Sequence, residues 1–83
     1  MSEVRDPSEV VVEVDATGLS CPLPVIELAK AVGGIAVGQS VRLLATDPAA
    51  KVDVPVWCRM QRHELRGQAQ QDRVWIFEVQ KAH

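Results

Sequence analysis

The chain has 83 residues, with nine Lys and Arg against eleven Asp and Glu, a formal net charge of −2 and 47% hydrophobic residues. That length bounds it to a modest core that needs no disulfide or metal staple. The near-balanced charge leaves no electrostatic footprint for direct nucleic-acid binding, no apolar run is long enough to cross a bilayer, and the polar start Met1-Ser2-Glu3-Val4-Arg5-Asp6-Pro7 lacks the apolar centre of a secretory leader, which predicts a cytoplasmic protein without membrane partners.

Residues 1–8 are expected to form a flexible tail, and residues 9–83 a single domain. The β-branched run Glu9–Asp15 predicts a first strand. Ala16–Ser20 is a loop in which Gly18 is available for an unusual φ. Pro22 and Pro24 then mark a helix start, because proline is tolerated only in the first turn. Val25, Ile26, Leu28, Ala29 and Val32 fit helical spacing, and Gly33-Gly34 stops the helix. Ser40–Thr46 predicts a second strand. Asp47-Pro48 reads as an N-cap followed by proline at the first helical position, opening a second helix from Ala49 to about Gln61, in which Asp53, Val54 and Pro55 mark a kink or the point where a loose turn gives way to the main helix. Val52, Val56, Trp57 and Met60 are its expected buried stripe. His63–Gly67 and Arg73–Gln80 predict two final strands joined by the polar connection Gln68–Asp72. In the last strand either the Val74/Ile76/Gln80 face or the Trp75/Phe77/Val79 face can be the core face on pattern alone.

The order β-α-β-α-β-β predicts an α/β two-layer sandwich, an α+β fold. Its four-stranded mixed sheet would carry both helices on one face, with parallel β-α-β units and an antiparallel final hairpin.

Cys21 is the residue that points to chemistry. It stands directly before the first helix, at the end of a strand-to-helix loop where α/β proteins place ligands and reactive groups. A thiol at a helix N-terminus is expected to shift toward thiolate, the reactive form. The alternative is a small packed hydrophobe. Cys21-Pro22-Leu23-Pro24 resembles a Cys-X-X-Cys site lacking its second thiol, so a local disulfide cannot close. A hydrolytic dyad would need a histidine base, and His63 and His83 bring no recognisable orienting acid. Cys58 lies in an apolar patch beside Trp57 and reads as a core residue, or as a second sulfur station or redox partner for Cys21. The two cysteines and two histidines lack the short-paired spacing of a metal site. Arg59, Arg62 and Arg66 would form a basic stripe if the second helix ran far enough.

Asp15-Ala16-Thr17-Gly18-Leu19-Ser20-Cys21-Pro22-Leu23-Pro24 resembles the signature of the TusA/SirA-like sulfur-carrier family. Ala45-Thr46-Asp47-Pro48-Ala49, Asp53-Val54-Pro55-Val56-Trp57-Cys58 and His63-Glu64-Leu65 resemble its further blocks, and the likeness runs from about residue 12 to residue 80. The resemblance implies a cytoplasmic sulfurtransferase carrier without metal or organic cofactor. Cys21 would accept sulfane sulfur as a persulfide from a cysteine desulfurase or rhodanese and relay it to an acceptor protein, with tRNA thiolation, cofactor sulfuration and sulfur oxidation as family destinations. Gly18, Pro22 and Pro24 would frame the thiol, while Leu23, Asp47, Lys51 and Asp53 would face partners. The first helix departs from a more basic family pattern, carrying Lys30 as its one basic residue. The alternatives to a carrier are a non-catalytic binding or regulatory module, and a thiol-redox protein using Cys21 and Cys58.

Overall fold

The computed structural model describes residues 9–83, so the tail expected over residues 1–8 lies outside the described residues. Its elements are β1 (Val10–Ala16), α1 (Leu23–Gly33), β2 (Ser40–Ala45), α2 (Ala50–Gln61), β3 (Glu64–Gln71) and β4 (Val74–Gln80), in the expected order. The sheet order is β1-β2-β4-β3. β1 and β2 are parallel, and β4 lies antiparallel between β2 and β3.

One core forms between the sheet and both helices. Leu28 and Val32 enter it from α1, and Ala50, Val54 and Cys58 from α2. They meet Ala16, Val41, Leu43, Ala45, Phe77 and Val79 on the sheet. The Trp75/Phe77/Val79 face of β4 is therefore the core face: Phe77 lies opposite Leu43, and Val79 opposite Val41. Both parallel strands end on the same side, which brings the β1–α1 and β2–α2 connections together.

Several expectations change. The buried stripe of α2 is Ala50, Val54 and Cys58, whereas Val52 and Met60 are 64% and 71% exposed. Both sets have i,i+4 spacing, so period alone does not choose between them, and the smaller side chains let the helix approach the sheet. Pro55 sits within a helix that runs unbroken from Ala50 to Gln61, rather than dividing it. Finally, β3 continues through the segment expected as a connection, and the chain reverses at Asp72 and Arg73, with Asp72 at φ 56°. Gln68, Ala69, Gln70 and Gln71 extend the strand because backbone pairing to β4 needs no apolar side chain at an exposed edge. The arginine stripe does not form, because α2 ends at Gln61, Arg62 takes a left-handed cap at φ 61°, and Arg66 lies on β3.

Candidate active site

The thiol is placed by a short loop that two neighbouring connections stitch together. Asp15 Oδ1 accepts hydrogen bonds from the Thr17 backbone N–H (3.0 Å) and the Thr17 hydroxyl (2.6 Å), turning the chain at the end of β1. Gly18 follows at φ 82°, a conformation that strains any residue carrying a Cβ, and its N–H donates to Thr46 Oγ1 at 2.8 Å. Leu19 packs against the core. The Cys21 backbone N–H then donates to Asp47 Oδ2 at 2.8 Å, while Asp47 Oδ1 accepts from the Ala49 N–H at 3.0 Å. The bonds from Ala49 and Cys21 hold the Asp47 carboxyl below the usual carboxylate range. Asp47 thus secures the turn into α2 and the cysteine loop together. The helix itself begins at Ala50 with Ala49 at the cap position, so Pro48 lies just ahead of it rather than at its first residue.

Cys21 is exposed and immediately precedes Pro22, the N-cap of α1. Pro24 is buried in the first turn of α1, and Leu23 is exposed. The thiol of Cys21 donates to Asp53 Oδ2 at 2.9 Å. This contact reverses the electrostatic expectation for the sulfur. Its hydrogen bond to Asp53, some desolvation, and the charges of Asp53 and Asp47 push the thiol above its ordinary value. The helix end cannot counter them at close range. Pro22 and Pro24 have no N–H, and the Leu23 N–H is given to the Ser20 carbonyl at 2.8 Å. Cys21 is therefore a positioned thiol, held protonated by two carboxylates.

Val25 of α1 and Val56, Trp57 and Met60 of α2 join Cys21, Pro22 and Asp53 around an open groove of about 240 Å³. The α2 residues reach it because Asp53, Val56, Trp57 and Met60 fall on one face of that helix. The sequence singles out Asp53 as a partner contact, but its bond to a sulfur 32 residues away carries no local signal. Lys51 goes elsewhere: its Nζ sits 5.2 Å from the centroid of the Trp75 ring. Cys58 is 2% exposed and belongs to the core. His63 is likewise held away from the thiol. Its Nδ1 accepts from the Ala82 N–H at 3.1 Å, and its ring stacks on His83 at 4.7 Å and lies 5.5 Å from that of Trp57.

The family model for Sulfurtransferase TusA matches residues 12–81. A protein named Sulfur carrier protein TusA from Pseudomonas entomophila (strain L48) is 40% identical over 68 residues, covering 82% of this chain and 85% of its own length. One of the same name from Pseudomonas aeruginosa (strain LESB58) is 37% identical over 68 residues, covering 82% and 86%. The crystal structure of a SirA-like protein from Desulfitobacterium hafniense superposes with a TM-score of 0.76 at 22% identity, covering 88% of this chain and 100% of that one, a likeness of fold. Given the family match across most of its length and these relatives, the chain belongs to the Sulfurtransferase TusA family.

Proposed function

We propose that the protein is a sulfur carrier that holds sulfane sulfur as a persulfide on Cys21. The observation that carries this reading is the separation of its two thiols: Cys21 is exposed beside an open groove, and Cys58 is sealed in the core. The names of the relatives, sulfur carrier proteins, support it. A cysteine desulfurase or rhodanese is the donor class, and a protein thiol is the acceptor. In loading, Cys21 Sγ attacks the outer sulfur of the donor persulfide. The donor S–S bond breaks, and its electron pair leaves with the donor sulfur as thiolate. In delivery an acceptor thiolate attacks the outer sulfur now on Cys21, and Cys21 Sγ leaves with the pair. Neither step needs an oxidant or a cofactor.

The setting suits exchange between proteins. Val56 and Met60 line the groove beside the thiol, Leu23 and Ile26 are exposed on α1, and exposed apolar side chains favour protein contact over solvent. Leu23 is then a partner-facing residue, while Asp47 and Asp53 turn inward to the cysteine. The framing roles of Gly18, Pro22 and Pro24 rest on the loop geometry around them. A Cys21–Cys58 redox pair is disfavoured by the burial of Cys58.

The test is intact-mass spectrometry after incubation with a cysteine desulfurase and cysteine. Wild type and Cys58→Ala gain one sulfur atom, and Cys21→Ser does not. Equal loading of Cys21→Ser overturns the reading.

A further inference from the structure

Sulfur carriage by Cys21 leaves the proton of its thiol unassigned. The geometry supplies a holder. Asp53 Oδ2 lies 2.9 Å from Cys21 Sγ, the reacting atom itself, and the sulfur donates to it. The carboxylate is placed there by α2, whose residues Ala50, Val54 and Cys58 are fixed in the core, and the sulfur by the Asp47 bond to the Cys21 backbone. The pair is thus set by two anchored elements rather than by a chance meeting of surface side chains. Among the described residues, the charged groups that act on the thiol are Asp53 on α2 and Asp47 in the preceding turn. On α1, Glu27 and Lys30 pair with each other at 3.4 Å, and Lys51 is drawn to Trp75.

Resting on the sulfur-carrier reading, we propose that Asp53 restrains Cys21: it holds the thiol proton between transfers and receives that proton only as the new S–S bond forms. In the empty carrier the Asp53 carboxylate accepts the S–H, and the sulfur stays a thiol. Thiolate is the form that meets alkylating agents and oxidants in solution, so the arrangement restrains reaction away from a donor. When Cys21 Sγ bonds to the outer sulfur of a donor persulfide, its proton moves to Asp53 Oδ2. The donor thiolate departs with the electron pair of the broken S–S bond, and the proton on Asp53 passes to it or to water. In delivery, Cys21 Sγ leaves as thiolate and is reprotonated from water beside the same carboxylate. Atoms, charge and electrons balance, and nothing is oxidised overall. Restraint rather than standing activation is the role assigned to the residue.

The experiment measures the rate of Cys21 alkylation by iodoacetamide against pH, followed by mass spectrometry of the Cys21 peptide. It compares the full-length wild type, Asp53→Asn and Asp53→Glu. The uptake of sulfur from inorganic polysulfide is followed in parallel. In Asp53→Asn the alkylation profile moves to lower pH, and the rate at neutral pH rises several-fold, each unit of movement being about tenfold in thiolate fraction. The polysulfide profile moves with it. Asp53→Glu, which keeps the charge, stays close to wild type. Unfolding curves for all three keep a loss of structure from passing as a gain of reactivity. An unchanged alkylation profile in folded Asp53→Asn overturns the proposal, as does a profile for Asp53→Glu that matches the asparagine variant. Absence of sulfur uptake in wild type counts against the carrier reading instead, since alkylation reads the proton without sulfur chemistry.

Discussion

Replacing Cys58 by serine separates the role of the core thiol from that of the exposed one. The side chain is 2% exposed and packs within the cluster built on Leu28, Val54 and Phe77. Serine keeps nearly the same shape but places a hydroxyl in that apolar setting. Burying such a group without a full partner costs about 1–3 kcal/mol in proteins. For a domain of this size each kcal/mol lowers Tm by about 4–8 °C, a loss that a thermal melt resolves easily. Cys58→Ala, which removes the sulfur without adding a polar group, separates lost packing from buried polarity. The thiol also leaves a signature in pH. Burial pushes it up to about 11, so the folded state retains a proton that an unfolded thiol releases near its ordinary value. That contribution to stability is fully present below the unfolded value and is lost as pH rises toward about 11. Across roughly pH 8 to 11, the span of that linkage, stability from denaturation curves falls more steeply for wild type than for Cys58→Ala. Sulfur loading of Cys21 in both variants, measured well below their melting points, stays at the wild-type level. A serine variant as stable as wild type would refute the packing argument, and loss of loading in a fully folded variant would refute the division of labour between the thiols.

His63 gives a second pH dependence, of opposite sense. Desolvation, with the nearby His83 and Lys81, holds its ring below the ordinary histidine value, so its contribution to stability is present above that value and lost as pH falls through the folded one. Protonation also removes the acceptor for the Ala82 N–H. Hydrogen exchange at the Ala82 amide, corrected for its intrinsic rate, should therefore accelerate in mild acid; no change would show that the bond is not made in solution. Gly18→Ala places a Cβ at φ 82°, at a cost of about 1–2 kcal/mol. Denaturant midpoints should fall accordingly, and an unchanged midpoint would mean that the loop relaxes away from the Thr46 bond.

The sequence made some features legible and hid others for physical reasons. Strand and helix order could be read because β-branched runs alternate with proline and glycine punctuation, as at Pro22 and Gly33. The thiol could be located because the two prolines tie it to a helix start. Its protonation could not. The dipole argument sees only the helix that follows Cys21, and the groups that dominate come from another element, Asp47 and Asp53, beside which the parallel pairing of β1 and β2 sets the loop. The buried face of α2 is ambiguous in the sequence because two stripes share one spacing, and the exposed stripe carries the larger apolar residues. Those residues, Val56 and Met60, line the groove instead. The length of β3 escaped because Gln68 to Gln71 carry no apolar alternation, whereas edge pairing to β4 is made by backbone.

That polar edge has its own consequence. An unpaired outer strand is a template on which another chain can extend a sheet. In β3 the pairing register shifts between Leu65 and Gly67, and a bulge of this kind bends a strand and interrupts its regular ladder. Arg66 lies within the shift, with its guanidinium bonded to Gln80 Oε1 at 2.9 Å. A strand arriving at that margin meets a broken row of donors and acceptors and the charged pair of Arg66 with Glu64 at 3.8 Å. Self-association by sheet extension is thereby discouraged along this margin of the sheet, one of its two edges.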